Sequence, residues 1–275
     1  MKRYKTQNID FDTRPNILKM KIEDHWEDKI KEQNSKNKDT IRDSFKQQFG
    51  LTNYEQKEQN ILDIGAMFPS IIAFHNKFLT QARNSFIVGS YYPSLTAVTT
   101  LTERVLNHLI LLLRDDFKNT KEYKKVHNKD SFTDWDMLID TLTSWNVLLP
   151  ETKPYLLKLK DLRHKYAAHF NFETDTKDRE LALEAILSFQ EFIRIQFGFL
   201  GQQPWFIPKT RGHFFIKKEY EDDPFVRRVY LPSCVLVGPN FKLTTVSGGF
   251  KVVDEEYEDR KITDEEFVKL LEKDK

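Results

Sequence analysis

The ten residues 161–170, DLRHKYAAHF, bring together side chains that suit phosphate chemistry. Arg163 is permanently charged and can hold a phosphate with a planar fork of donors. His169 carries an imidazole that gives or takes a proton near neutral pH, and Ala167 and Ala168 leave room beside it. Cleaving an RNA backbone without a metal requires a proton acceptor for the 2′-hydroxyl, a cation for the phosphate and a proton donor for the 5′-oxygen. These residues could supply those groups.

The spacing of Arg163 and His169 sets a geometric condition on a shared site. Six residues at about 100° each place them about 120° apart around an ideal helix and roughly 9 Å apart along its axis. A shared site therefore needs a helix end or kink between them, an arginine that reaches round the helix, or a second copy of the segment from a partner subunit. The alternative is a cationic helix end with a solvated Arg163 and Lys165.

Composition excludes several classes of protein. The chain has 275 residues, 39% hydrophobic and 31% charged, which predicts one sizeable core with smaller appendages. Lys+Arg number 43 and Asp+Glu 42, so any site for a polyanion must be local. Cys234 is the only cysteine, which favours a reducing compartment. The longest aliphatic run, LILLLR at 109–114, is far below the ~20 residues that span a bilayer, and no apolar leader is visible. We expect a cytoplasmic protein without a membrane contact.

Three segments differ in their patterns. Residues 1–55 are polar and predict an N-terminal arm or small helical cap, with a loop at 34–40. Residues 56–203 predict a helical bundle that includes helical patterns through 61–67 and from 71 onward. The helix at 179–197 is apolar over most of its circumference, which predicts cover on two sides, from its own bundle with or without a second subunit. One helix of this bundle has an apolar stripe formed by Leu95, Val98, Leu101, Val105, Leu109 and Leu112.

Residues 204–275 predict a small β-rich region that ends in a short helix. The predicted strands are HFFIK, VRRVYL, CVLV, FKLTTV and FKVV, with a hairpin turn at VSGGF, 246–250. Thr263 and Glu266 have the spacing of a capping box at the start of the last helix. The fold class predicted for the whole chain is therefore mainly α, with a polar N-terminal helical arm and a β-rich C-terminal region.

The arrangement of Arg163, five intervening residues and His169 near the end of an apolar helical bundle resembles the HEPN superfamily (higher eukaryotes and prokaryotes nucleotide-binding). The family signature is an Arg, four to six residues and a His, often with Asn or another polar residue after the Arg and small residues before the His. Here Ala167 and Ala168 match the small residues, and His164 stands where Asn is common. The resemblance covers about residues 60–200.

The resemblance implies a helical bundle that forms a homodimer, in which two copies of the motif face each other across a composite site. Many members are metal-independent ribonucleases of toxin–antitoxin, phage-defence and RNA-processing systems, while others are inactive. It implies Arg163 and His169 as catalytic residues, assisted by His164 and Lys165. RNA is then the substrate, an antitoxin or defence protein is a further partner, and no cofactor or metal ion is required.

A polar strip along TAVTTLTERVLNH includes Glu103 and Asn107 at helical spacing. If this helix borders the cleft, Glu103 could orient Arg163 or a histidine, as an acidic residue on an earlier helix does in some families of this type, and Asn107 could support it. The alternative is a strip that faces solvent.

Two other functions stay open on the sequence. One is a catalytically inactive HEPN-like module that binds nucleotide, RNA or a partner protein. The other is a scaffold or transcription-regulatory protein whose working surface is the β-rich tail, where basic residues alternate with aromatic ones. The chain has no GxGxxG, GxxxxGK, HExxH, GxSxG or CxxC motif. These common signatures of nucleotide binding, metal binding and nucleophilic catalysis therefore do not indicate its function.

Overall fold

The structure is a computed structural model that describes residues 1–169, 171–199, 203–210, 212–246, 249–255, 258 and 260–273. Its α-helices are α1 Arg14–Lys19, α2 Asp28–Phe49, α3 Tyr54–Ile64, α4 Phe74–Ile87, α5 Tyr91–Leu113, α6 Tyr123–Val126, α7 Trp135–Ser144, α8 Lys153–Leu162, α9 Phe172–Phe197 and α10 Asp264–Lys273. Its strands are β1 Arg3–Thr6, β2 Ile9–Asp12, β3 Met67–Ile71, β4 Cys234–Val237, β5 Lys242–Val246 and β6 Gly249–Val253. The fold is mainly α with small antiparallel sheets, as the sequence predicts.

Helix α5 lies at the centre of the bundle and packs against α4, α7, α8 and α9. The predicted apolar stripe is confirmed, because Leu95, Val98 and Val105 are completely buried and the other members are buried or packed against the core. The buried face is wider than the stripe and takes in threonines as well. Thr99 and Thr102 satisfy their hydroxyls by donating to carbonyl groups one turn earlier, at 3.0 and 2.9 Å.

The cover for the apolar helix at 179–197 comes from the same chain. This segment is the main part of α9, which packs against α4, α5, α8 and β3. Ser188 on this helix is buried, and Leu187 is the more exposed neighbour. Helix α9 is therefore already covered within one chain, and its apolar surface does not by itself require a second subunit.

The first twelve residues tie the polar N-terminal segment to the rest of the molecule. Strand β1 pairs antiparallel with β4, and β2 pairs antiparallel with β3. Leu18 and Phe45 from α1 and α2 are buried in the main core. Pairing between strands so distant in the sequence leaves no local signal, which is why the sequence pattern predicts only a polar arm there.

Two sequence predictions in the first seventy residues are wrong. The loop predicted at 34–40 is part of α2, where polar side chains bond along the helix, as in the 2.9 Å contact between Gln33 and Asn37. The helical patterns through 61–67 and from 71 onward are interrupted, because α3 ends at Ile64, Gly65 follows with a φ of 65°, and β3 begins at Met67. Pro69 is tolerated in β3 because the sheet has two strands and each of them is an edge.

The C-terminal region differs from its prediction in two segments. VRRVYL is not a strand, since Val226–Tyr230 is a π-helical turn with a buried Val226 and Tyr230. Asp223 and Pro224 precede this turn and favour its start. The Asp223 carboxylate accepts a bond of 3.0 Å from the Val226 N–H. HFFIK makes isolated bridges through Phe215 and Ile216 instead of a strand.

Other predictions for this region are confirmed. CVLV is β4, FKLTTV contains β5 and FKVV lies within β6. Strands β5 and β6 pair as a hairpin in which Val246 opposes Gly249. The turn residues of VSGGF, 247 and 248, lie outside the described residues. The capping box before α10 is present, with reciprocal bonds of 2.9 and 3.2 Å between Thr263 and Glu266. Within the described residues, no helix combines the length and the apolar content needed to cross a membrane.

A histidine lies in the core between aromatic rings. His75 on α4 is completely buried, and neither of its ring nitrogens has a hydrogen-bond partner among the described residues. Its ring centroid lies 4.8 Å from that of Phe197 and 5.9 Å from that of Phe74. Burial, and to a smaller extent the nearby His108, lower the pKa of His75 to about 3, so the ring is neutral at physiological pH.

We expect His75 to make the protein sensitive to acid. The unfolded chain takes up a proton on this side chain below about pH 6.5 and the native protein does not, so the free energy of unfolding should fall as the pH drops from about 6.5 towards about 3. The limit for one such group is about 1.4 kcal/mol per pH unit. In urea denaturation at about pH 7 and about pH 5, His75→Phe should lose about 2 kcal/mol less than the wild type between the two conditions.

The matched control is His25→Phe, since His25 is exposed. This variant should lose as much stability as the wild type on acidification. If His75→Phe loses as much as well, His75 is not the group that takes up the proton.

Candidate functional site

The carboxylate of Glu103 on α5 joins three helices. Its Oε2 forms an ion pair of 2.7 Å with Nη2 of Arg163, directly after α8, and accepts a bond of 3.1 Å from Nε1 of Trp135 at the start of α7. The Glu103 and Arg163 side chains are 17% and 33% exposed, so the pair is partly shielded from water. Glu103 therefore holds the guanidinium of Arg163 in one orientation, and the contact that the sequence proposed between these two residues is present.

Asn107, one turn after Glu103, is occupied by the backbone. Its Nδ2 donates to the carbonyl of Phe132 at 2.8 Å and its Oδ1 accepts from the Phe132 N–H at 2.7 Å. A further bond of 3.0 Å runs to the Glu103 carbonyl. Because Phe132 lies just before Trp135, Asn107 positions the residue that shares the Glu103 carboxylate. Within one chain, the side-chain amide of Asn107 is therefore occupied by these backbone bonds.

The segment that contains Arg163 is not a regular α-helix. Residues Arg163–Ala167 form a π-helical turn, closed by a bond of 2.8 Å from the Ala168 N–H to the Arg163 carbonyl. In an α-helix, residues five apart lie about 140° apart around the axis. In a turn closed by i to i+5 bonds, residues five apart lie almost above one another, and such turns are frequent at functional sites.

The π turn brings His164 and His169 together. Their ring centroids lie 4.8 Å apart with the planes at 74°, and both residues are exposed to solvent. Such a pair can present two imidazoles to one substrate. The sequence had linked His169 to Arg163, while the structure places His169 against His164. Among the described residues, the Arg163 guanidinium bonds Glu103 and does not bond His169.

Three contacts fix the backbone around the two histidines. The Tyr92 hydroxyl at the start of α5 donates to the carbonyl of Ala167 at 3.2 Å. The Tyr166 hydroxyl donates to Glu173 at 3.0 Å, and the Thr174 hydroxyl donates to the Tyr166 carbonyl at 3.3 Å. The bond to Glu173 raises the pKa of Tyr166. These contacts hold the turn between the first residues of α5 and α9.

The positioning residues Trp135, Tyr92 and Tyr166 were missed by the sequence analysis. Trp135 and Tyr92 lie on different parts of the chain from the groups that they hold. Tyr166 lies within 161–170, but a single aromatic residue carries no spacing signal. Glu103 could be found from the sequence because it lies one helical turn before Asn107 on a strip of polar residues.

Lys165 contacts its own helix and not the histidines. Its Nζ lies 3.8 Å from Asp161, four residues earlier, and both side chains are more than half exposed. This is the geometry of a solvated surface pair, which contributes little to stability.

The aromatic residues of the C-terminal tail are mostly core residues. Phe215, Phe225 and Tyr230 are buried, and Tyr230 donates to the carbonyl of Gln196 at 3.0 Å. They are therefore not available to stack on RNA bases. Arg211, one of the basic residues of the same stretch, lies outside the described residues.

A metal site is absent from the described parts of the chain. In those parts no three His, Cys, Asp or Glu side chains converge in an arrangement that could hold an ion.

No protein-family model matches this chain, and no curated protein or solved structure is similar to it at a significant level. The relation of Arg163 and His169 to the HEPN motif therefore stays a prediction from the sequence.

We expect Arg163 and Glu103 to be coupled in stability. Free energies of unfolding in urea should be compared for wild type, Arg163→Met, Glu103→Gln and the double variant. Glutamine keeps an oxygen that can accept the Trp135 N–H bond while it removes the charge. Because the pair is partly buried, the coupling energy should be about 1 kcal/mol, at the upper end of the range for pairs near the surface.

The Lys165 and Asp161 pair provides the comparison. It is longer and more exposed, so the cycle with Lys165→Met and Asp161→Asn should give a coupling below about 0.5 kcal/mol. Equal coupling in the two cycles would mean that Glu103 does not hold Arg163 in solution.

Proposed function

We propose that this protein is a metal-independent endoribonuclease that cleaves RNA through attack of the ribose 2′-hydroxyl on the adjacent phosphorus. The proposal is carried by one observation, the exposed pair of His164 and His169, 4.8 Å apart, on a turn that begins at the carboxylate-held Arg163. Two imidazoles, one neutral and one protonated, suit a reaction that needs both a proton acceptor and a proton donor. A guanidinium in a fixed orientation suits the charge of the phosphate.

In the proposed reaction, the neutral imidazole takes the proton of the 2′-hydroxyl as the 2′-oxygen bonds to phosphorus. The bond from phosphorus to the 5′-oxygen breaks, and the imidazolium donates its proton to that leaving oxygen. Arg163 stabilises the charge on the non-bridging oxygens, and Glu103 keeps the guanidinium in place. The products are a 2′,3′-cyclic phosphate, or the 3′-phosphate after hydrolysis, and a 5′-hydroxyl.

The proposal places the complete site in a homodimer. In one chain the Arg163 guanidinium bonds Glu103 and neither imidazole, so a second copy of 161–169 would bring a guanidinium to the histidine pair. A cytoplasmic defence or toxin–antitoxin system, with an antitoxin or defence protein as a partner, is the setting that the sequence resemblance implies.

We expect Arg163→Ala and His169→Ala each to lower the rate of RNA cleavage by about 10²–10⁴-fold. The assay is cleavage of a labelled RNA by the purified protein in excess EDTA, with the ends of the fragments identified. Wild-type protein should give 2′,3′-cyclic phosphate or 3′-phosphate ends under these conditions.

Lys158→Ala is the control. Lys158 is an exposed cation on α8, the helix that ends directly before Arg163, and its side chain pairs with Glu184. It should cleave at the wild-type rate. If Arg163→Ala and His169→Ala fold and cut RNA as fast as the wild type, the assignment of the site is wrong.

The role of His164 can be tested separately with His164→Asn. If His164 transfers a proton, asparagine should lower the rate about 10²-fold or more, because an amide cannot take its place. It should also remove one limb of the pH–rate profile. A variant with the wild-type rate would show that His164 only fills the polar position that Asn occupies in the family, with His169 acting alone.

The second candidate function is a catalytically inactive module that binds RNA, nucleotide or a partner protein. The ion pair with Glu103 favours it, since the pair offsets the charge that Arg163 would offer to a phosphate. The two functions differ in one assay. An inactive module would retain RNA in a filter-binding or mobility-shift experiment and leave it intact in EDTA and in Mg²⁺, whereas the ribonuclease would produce fragments in both.

A further inference from the structure

A cavity of about 420 Å³ lies between the N-terminal segment and the bundle, away from the two histidines. Its walls come from the residues around β2 and the start of α1, from α2, and from one face of α4. Part of the lining is apolar, with Phe45, Phe49 and Ile87 among its residues, and part is charged. The volume lies at the lower end of the range for pockets that bind small molecules, ~300–1,000 Å³.

The charged wall includes Arg83, a buried cation. Arg83 on α4 is 6% exposed, and its guanidinium donates to the Gly65 carbonyl at 2.7 Å and to the amide oxygen of Gln190. The carbonyl of Ile64 lies at 3.5 Å. All of these acceptors are neutral. The described residues place no carboxylate within ion-pairing distance of Arg83, although buried charges in proteins are normally paired.

One carboxylate of the same cavity, Asp12, is paired with another cation. Asp12 accepts bonds of 3.0 and 2.8 Å from Arg14, and the Arg14 guanidinium also lies 4.4 Å from the centre of the Phe45 ring. Asp12 attracts Arg83 from a distance, while Arg14 repels it. Asp10 lines the same cavity, so the four charged lining residues Asp10, Asp12, Arg14 and Arg83 sum to zero. Of the two cations, Arg14 has a carboxylate in contact, and Arg83 has none among the described residues.

Part of the role of Arg83 is structural. The carbonyls of Ile64 and Gly65 lie at the C-terminus of α3, where a cation is favourable for the helix dipole. A helix terminus corresponds to only about half of an elementary charge, which does not neutralise a guanidinium. Burial still lowers the pKa of Arg83 to about 10, which is the direction expected for a charge that lacks a counter-ion.

We propose that this cavity binds a small ligand that has an apolar, flat body and one anionic group, either a phosphate monoester or a carboxylate. The anionic group would contact Arg83, whose present partners are all neutral oxygens, and the body would lie against Phe45 and Phe49. Arg14, held over Phe45 by Asp12, closes the cavity beside the ring. This site is separate from the proposed nuclease site and does not depend on it.

The test uses three probes of similar size with the full-length protein: phenyl phosphate, benzoate and neutral phenol. Thermal unfolding and isothermal titration calorimetry should show that phenyl phosphate or benzoate binds and raises the unfolding temperature, while phenol does so far more weakly. The comparison of the two anions separates a phosphate site from a carboxylate site.

Two variants test the location. Arg83→Met removes the charge at similar length and should weaken binding of the preferred anion by about 30-fold or more. Thr80→Phe fills the cavity from an exposed position on α4, where no bond of the native structure is lost, and should also abolish binding. The matched control is Gln81→Phe, next to Thr80 on the same helix but outside the cavity lining, which should bind as the wild type does.

The proposal is overturned if neither anion binds the wild type, if phenol binds as well as the anions, or if Thr80→Phe binds like Gln81→Phe. Should Arg83→Met fail to fold, Thr80→Phe decides the question alone. Loss of nuclease activity in the Arg163 or His169 variants has no bearing on this result, since the cavity is built from other elements.

Discussion

The carboxylate of Glu103 is the constraint on which the site depends. Without it, Arg163 would be a long cationic side chain at a helix end, free to take many orientations and to remain in water. One oxygen of Glu103 binds both Arg163 and the Trp135 indole, so the positions of α5, α7 and the end of α8 are set relative to one another by a single group. Asn107 adds to this by fixing the backbone before α7. The polar strip of α5 thus connects α5 to neighbouring helices through side-chain contacts.

The second determinant is the backbone after α8. An α-helix that continued through the Arg163–Ala167 segment would point His164 and His169 in different directions, since five residues correspond to about 140°. The π turn brings them within 4.8 Å. A π turn lowers the regularity of the hydrogen bonding, and here the cost is offset by side-chain bonds from Tyr92 and Thr174 to the carbonyls of the turn. The chemistry available at this surface therefore depends on a local departure from helical geometry.

The sequence predicts what depends on periodicity and misses what depends on distant partners. The stripe of α5 is recoverable because burial follows a spacing of three and four residues, and the box at Thr263 and Glu266 because both partners lie in one turn. Strands β1 and β2 are not recoverable, since each is four residues long and pairs with a strand far along the chain. The contact of Arg163 with Glu103 could be proposed from charge and helix face, but its sharing with Trp135 could not. The approach of His164 to His169 depends on the π turn, which no residue pattern in the sequence predicts.

The interior shows two different responses to the burial of a basic group. His75 loses its proton, because an imidazole needs only a modest free energy to become neutral, and its aromatic surroundings then suit it as an uncharged ring. A guanidinium cannot be made neutral at physiological pH, so Arg83 keeps its charge and must be stabilised by carbonyl dipoles, by Asp12 at a distance, or by something bound in the adjoining cavity. Nearer the surface, the charge of Arg163 is stabilised by direct contact with the carboxylate of Glu103. The two arginines therefore differ in their partners: Arg163 has a carboxylate of its own chain in contact, whereas Arg83 is held by neutral carbonyl and amide oxygens.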